Sequence, residues 1–87
     1  MNYSIIWSGD AVSGLAEVWI ASANRYEIAL LTELFDRSVE INPFRVGLPA
    51  KSSVSRVAIV PPLGLSFDIV EDDKKVIVQS CWHEPDE

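Results

Sequence analysis

The sequence is short of the residues that build covalent and metal-centred chemistry. It has one cysteine, Cys81, and one histidine, His83, with Trp82 between them. One cysteine excludes an internal disulfide and accords with a reducing compartment. Cys-x-His offers two ligands where a structural zinc site takes four, and no Cys-x-x-Cys pair accompanies it. Asp86 and Glu87 follow closely but complete no patterned ligand set, so neither a metal nor a cofactor is expected. A Cys–His nucleophile pair is also disfavoured. Side chains two apart on a strand stand side by side, without the mutual contact and orienting group such a pair needs. Cys81 is expected as a small buried hydrophobe and His83 as a surface residue.

Long apolar runs are missing too, so no segment is suited to cross a bilayer. The opening residues, Met1 to Trp7, have neither the basic start nor the cleavage site of a signal peptide. A single cytoplasmic domain over residues 1–87 is expected, since this length supports one hydrophobic core. Basic residues are scarce: 7 Lys and Arg stand against 13 Asp and Glu, for a net charge of −6. Proteins that live on nucleic acid carry a basic face, because phosphate contacts supply most of their affinity. General nucleic-acid binding is thereby disfavoured. One local exception stands out. Residues 41–64 hold Arg45, Lys51 and Arg56 and no acid, which leaves room for one anion-facing patch.

The apolar pattern is rich. Residues 3–7, Tyr-Ser-Ile-Ile-Trp, are β-branched and aromatic and predict a strand. Ser8 or Asp10 can cap a following helix, whose stripe is Val12, Leu15, Ala16, Trp19 and Ile20. Gly14 inside that helix needs a packing reason. Asn24 predicts the cap of a second helix with the stripe Ile28, Leu31, Phe35 and Val39, widened by Leu30 and Leu34. Asn42-Pro43 ends it. A connector with Gly47 and Pro49 follows, with a short edge strand expected near Arg45–Leu48. Val54–Val60, the alternating Leu65, Phe67 and Ile69, and Val76–Cys81 predict three more strands joined by short turns. The last is fairly apolar on both faces and is expected to be central or covered on both sides. Trp7 and Trp19 are expected in the core. The order implies an α+β fold: an N-terminal strand, an antiparallel two-helix hairpin, then an antiparallel three- to four-stranded meander.

This succession resembles the RelE/ParE superfamily of type II toxin–antitoxin toxins. The resemblance runs over nearly the whole chain. It is carried by "YSIIWSGDAVSGLAEVWIAS", by "ANRYEIALLTELFDRSVEINP" with Gly47 after it, and by "SRVAIVPPLGLSFDIVEDDKKVIVQSCW". It implies a toxin-like component neutralised by a cognate antitoxin protein, with no membrane and no small-molecule cofactor. It leaves the activity open, because one branch cleaves mRNA on the ribosome and another poisons DNA gyrase.

Cleavage through the 2′-hydroxyl needs a base, cations around the phosphorane and an acid for the leaving oxygen. Arg56 matches the arginine of the family's first meander strand, and His83 lies near where cleaving members keep a His or Tyr. These two are the catalytic candidates if the chain is a ribonuclease. The match is thin. "GLSFDIV" has no basic residue, Trp82 stands at the expected basic position, and Glu84 and Asp86 surround His83 with negative charge. The residues therefore favour a chain that is not an active ribonuclease and acts by protein binding on a gyrase-type target, or is catalytically degenerate. The alternative is a ribosome-dependent mRNA endoribonuclease. Arg45, Lys51, Arg56 and Trp82 are the expected anion- or partner-binding residues.

Overall fold

The computed structural model describes residues 2–85. The chain runs β1 (Ser4–Trp7), α1 (Gly9–Ala21), α2 (Arg25–Ile41), a 3₁₀ turn (Pro43–Arg45), β2 (Leu48–Pro49), β3 (Ser55–Val60), β4 (Leu63–Val70), a second 3₁₀ turn (Glu71–Asp73) and β5 (Lys75–His83). The helix starts follow from their caps. Ser8 Oγ accepts from the Ala11 amide and Asn24 Oδ1 from the Glu27 amide, both at 3.1 Å, satisfying N–H groups the helix cannot. Asn42 closes α2 and accepts from the Phe44 amide, because Pro43 cannot continue the helical ladder. No helix among the described residues is long and apolar enough to cross a membrane.

The five strands form one sheet in the order β1-β5-β4-β3-β2. Strands β2 to β5 are the expected antiparallel meander, and β5 lies inside the sheet between β1 and β4. The expected strand near Arg45–Leu48 lies slightly later and is only two residues long. β1 pairs parallel with β5, Ile5 beside Val76 and Trp7 beside Val78. The intervening helices make that parallel return possible. A bulge between Ser66 and Phe67 places Gln79 as an extra residue on β5.

One face of the sheet carries the core: Leu63, Leu65, Phe67 and Ile69 of β4, Val76, Val78 and Cys81 of β5, and Ala58 of β3. The helices cover it with Ala11, Val18, Ile28, Phe35 and Val39. Phe35 joins the layers, edge-on to both Trp7 (centroids 6.2 Å apart) and Phe67 (5.5 Å). Asp36 accepts from the Trp7 indole at 3.3 Å, which gives that amphipathic ring its polar partner.

α1 turns a different face to the sheet from the one its stripe implies. Ala11 and Val18 are buried and Leu15 partly so, while Val12 and Ile20 are exposed and Trp19 is 39% exposed rather than core. The reason is Gly14. A Cβ there would lie 1.9 Å from the Cys81 carbonyl oxygen, so α1 approaches β5 at backbone contact. Closest approach selects the small residues Ala11 and Gly14, and the bulkier stripe is left outside.

Candidate partner-binding groove

α2 reaches β4 through Phe35, edge-on to Phe67, and faces β3 across a gap. Between them is a groove with a volume of about 580 Å³. One wall is the outer side of α2, with Leu31, Leu34, Ser38 and Ile41. The floor is Phe35, Ala58, Leu63 and Leu65, and the opposite rim is Ile59 and Val60 at the end of β3. The far end is closed by Arg45, Val46 and Gly47 of the connector. Arg45 is the charged residue in this lining. Leu34, Ile41, Ile59 and Val60 are all about half exposed or more, with Ile41 at 72%. Contiguous apolar surface of this kind marks an interaction site more often than scattered single side chains do.

The connector that closes the groove is shaped by two features. Gly47 has φ +70°, and a Cβ there would meet the Val57 carbonyl oxygen at 2.2 Å. Only glycine meets both demands. Arg56 then holds the connector from below: Nε donates to the Val46 carbonyl and Nη2 to the Gly47 carbonyl, both at 2.8 Å.

The residues singled out by sequence fall in three places. Arg45 is exposed on the groove wall, and Lys51 is exposed on the loop between β2 and β3. Arg56 pairs with Phe67 and His83 with Leu63, so both strand positions share the helix-side face. One intervening strand and four residues of offset along β4 put their Cα atoms roughly 15 Å apart. The structure does not bring Arg56 and His83 together.

Trp82 lies on the other face. Its indole covers Gly64, where an added Cβ would come within 2.3 Å of the ring, and its Nε1 donates to Glu84 Oε1 at 2.8 Å. The middle of this open face sets hydroxyls and one acid beside the apolar Val57 and Ile77. The Ser66 and Ser80 hydroxyls bond each other, and Asp68 accepts from Ser55 Oγ at 2.8 Å and Gln79 Nε2 at 3.2 Å. A cation of this face, Lys75, lies at its far end opposite Val70. A carboxylate at the centre repels a phosphodiester at this sheet surface.

Cys81 is buried on the helix side under Gly14. Burial pushes its thiol up to about 11, far from a reactive thiolate. Among the described residues no three of His, Cys, Asp and Glu are grouped to hold a metal ion. Asp86 and Glu87, weighed as ligands from sequence, lie outside the described residues, as does the Asp86 charge beside His83.

Sequence reasoning missed the groove. Its signals were present: Leu30 and Leu34 make the α2 stripe too wide for one buried face, and Ile59-Val60 puts consecutive apolar residues on both faces of a strand end.

No protein-family model matches the chain, and no curated protein matches it. Solved structures do. A chain of the toxin–antitoxin complex RelBE2 from Mycobacterium tuberculosis is similar over 99% of this chain and 95% of its own, at 19% identity and a TM-score of 0.79. A chain of the chromosomal ParDE toxin–antitoxin system of P. aeruginosa matches over 95% and 97%, at 12% identity and TM-score 0.64. The archaeal RelE–RelB complex from Pyrococcus horikoshii matches over 95% and 96%, at 13% and 0.59. The fold is RelE/ParE-like, and at these identities the likeness speaks to the fold alone.

Proposed function

We propose that this RelE/ParE-like chain is the toxin-side component of a type II toxin–antitoxin module and that its groove receives an amphipathic helix of the cognate antitoxin. The observation that carries the reading is the unfilled apolar groove between α2 and β3. A helix is the fitting occupant because the groove lies on a face of the fold rather than along a free strand edge. The nearby edge is β2, two residues long and ending in Pro49, which blunts strand addition. Apolar side chains one turn apart would meet Leu34 and Ile41 on one side and Val60 on the other. An acid beside them would meet Arg45.

The activity that fits best is protein binding, on a gyrase-type target or without any target beyond the antitoxin. Supporting this are the guanidinium of Arg56 turned onto backbone carbonyls, its separation from His83, Trp82 over Gly64, and Asp68 at the centre of the open face.

The test is induction in a bacterial host with and without the small neighbouring gene. Growth arrest relieved by co-expression is expected, together with a stable complex that Leu34→Asp abolishes. Absence of arrest removes the toxin reading and leaves a partner-binding domain. Ribosome-dependent cuts in cellular mRNA, lost in Arg56→Ala or His83→Ala, would replace protein binding with the ribonuclease reading.

A further inference from the structure

We infer that Arg56 is a positioning residue for the groove: its guanidinium fixes the Arg45–Gly47 wall, and partner binding depends on it through that wall. This rests on the groove being the partner site.

Apart from Val46, which packs partly buried against the core, little else holds the wall. Its local hydrogen bonds, Arg45 amide to Asn42 carbonyl and Val46 amide to Pro43 carbonyl, stay within the turn. The ladder beyond it is the two-residue β2, and Pro49 brings no N–H to that ladder. Inward movement is blocked, since Gly47 already packs on the backbone of Val57 and Ala58. Outward movement is opposed by the two bonds of 2.8 Å from Arg56 to the Val46 and Gly47 carbonyls. A planar guanidinium suits two neighbouring acceptors, and charged donors make the stronger class of hydrogen bond. Because Val46 and Gly47 line the groove, the clasp sets where the groove ends.

The consequence is particular to this residue. Loss of function in Arg56→Ala would look like loss of a catalytic arginine, although the side chain reaches its own backbone. Hydrogen exchange separates the two. Backbone amides of residues 44–48 and of residues 65–69 would be followed in wild type, Arg56→Ala, Arg56→Lys and Arg45→Ala. Binding of the protein encoded by the neighbouring small gene would be measured by calorimetry on the same samples. In Arg56→Ala, exchange at 44–48 should rise about tenfold or more, the scale of a lost charge-assisted bond, with 65–69 unchanged and affinity lower by a similar factor. Arg56→Lys, whose ammonium lacks the fork, should fall between. Arg45→Ala should exchange like wild type at 44–48.

Wild-type exchange in Arg56→Ala overturns the clasp. Faster exchange with unchanged affinity overturns the positioning role. Lost affinity with unchanged exchange makes Arg56 a direct contact and overturns it as well. If wild type does not bind the neighbouring gene's protein, the antitoxin reading fails, and the exchange arm still decides whether Arg56 holds the wall.

Discussion

Gly14→Ala sets two rules against each other. Inside an isolated helix alanine is favoured over glycine by about 0.8–1 kcal/mol. In this fold the new Cβ would stand 1.9 Å from the Cys81 carbonyl oxygen and 2.9 Å from its carbon. Both neighbours are backbone, so no side chain can swing aside, and α1 has to lift by roughly 1 Å from β5, which forfeits about a quarter to a half of the facing dispersion energy. The side chains that lose contact are Ala11, Leu15 and Val18. Leu15 and Val18 each carry about 1.5–3 kcal/mol of burial, so a quarter to a half of their sum is about 1–3 kcal/mol. Subtracting alanine's helical advantage of about 1 kcal/mol leaves a net destabilisation of about 0–2 kcal/mol. Urea unfolding with an unchanged m-value would read it, and thermal unfolding should show a drop of about 4–8 °C per kcal/mol. Ser13→Ala, on the exposed side of the same turn, is the control and should be neutral or slightly stabilising. A Gly14→Ala protein stabilised by the full helical advantage of about 1 kcal/mol would refute the claim that backbone contact sets the face α1 presents.

Cys81 should react slowly with a thiol reagent at pH 8 in the native protein and quickly in denaturant. Its thiol is pushed up to about 11, so the unfolded chain ionises first and stability should fall as pH rises from about 9 to 11; labelling at equal rates in both states would contradict the burial. Burial raises the Asp36 carboxyl, against the lowering effect of the Trp7 indole and with a further push from Glu40. The unfolded chain therefore loses that proton at lower pH, and Asp36→Asn should stabilise at pH 7 with a gain that shrinks toward pH 3; denaturant titrations at the two pH values check the sign. Gly64→Ala should push the Trp82 ring off the sheet and shift its fluorescence to longer wavelength in a Trp7→Phe, Trp19→Phe background. Unchanged emission would mean that the ring does not rest there. Leu34→Asp and Val60→Asp replace half-exposed groove residues. Stability should stay within about 0.5 kcal/mol while binding of the proposed partner is lost, as calorimetry would show.

The element order was legible because each element carries its own local signal. Ser8 and Asn24 cap where caps are needed, Asn42-Pro43 stops α2, and Leu65, Phe67 and Ile69 alternate. What could not be read is what depends on two distant segments meeting. The stripe of α1 gave the wrong face because a backbone contact between Gly14 and Cys81 outranks side-chain hydrophobicity there. The parallel partner of β1 leaves no local mark. Arg56 looked like a free cation because its acceptors are the carbonyls of residues 46 and 47, and a backbone acceptor has no signature in sequence. The groove was hidden in the same way. Leu34 and Val60 look like ordinary core residues until the end of α2's coverage is known.

The pairing of β1 with β5 has a consequence for how the molecule comes into being. The first strand finds its place only beside Lys75–Val78, nearly the whole described chain away. A nascent polypeptide that stops before Lys75 has β1 without a neighbour and β4 with a bare inner edge, a template for sticking rather than for function. Any surface that needs the complete sheet therefore forms only once Lys75–Val78 has been made. A chain broken off before Lys75 is a fragment for the proteases.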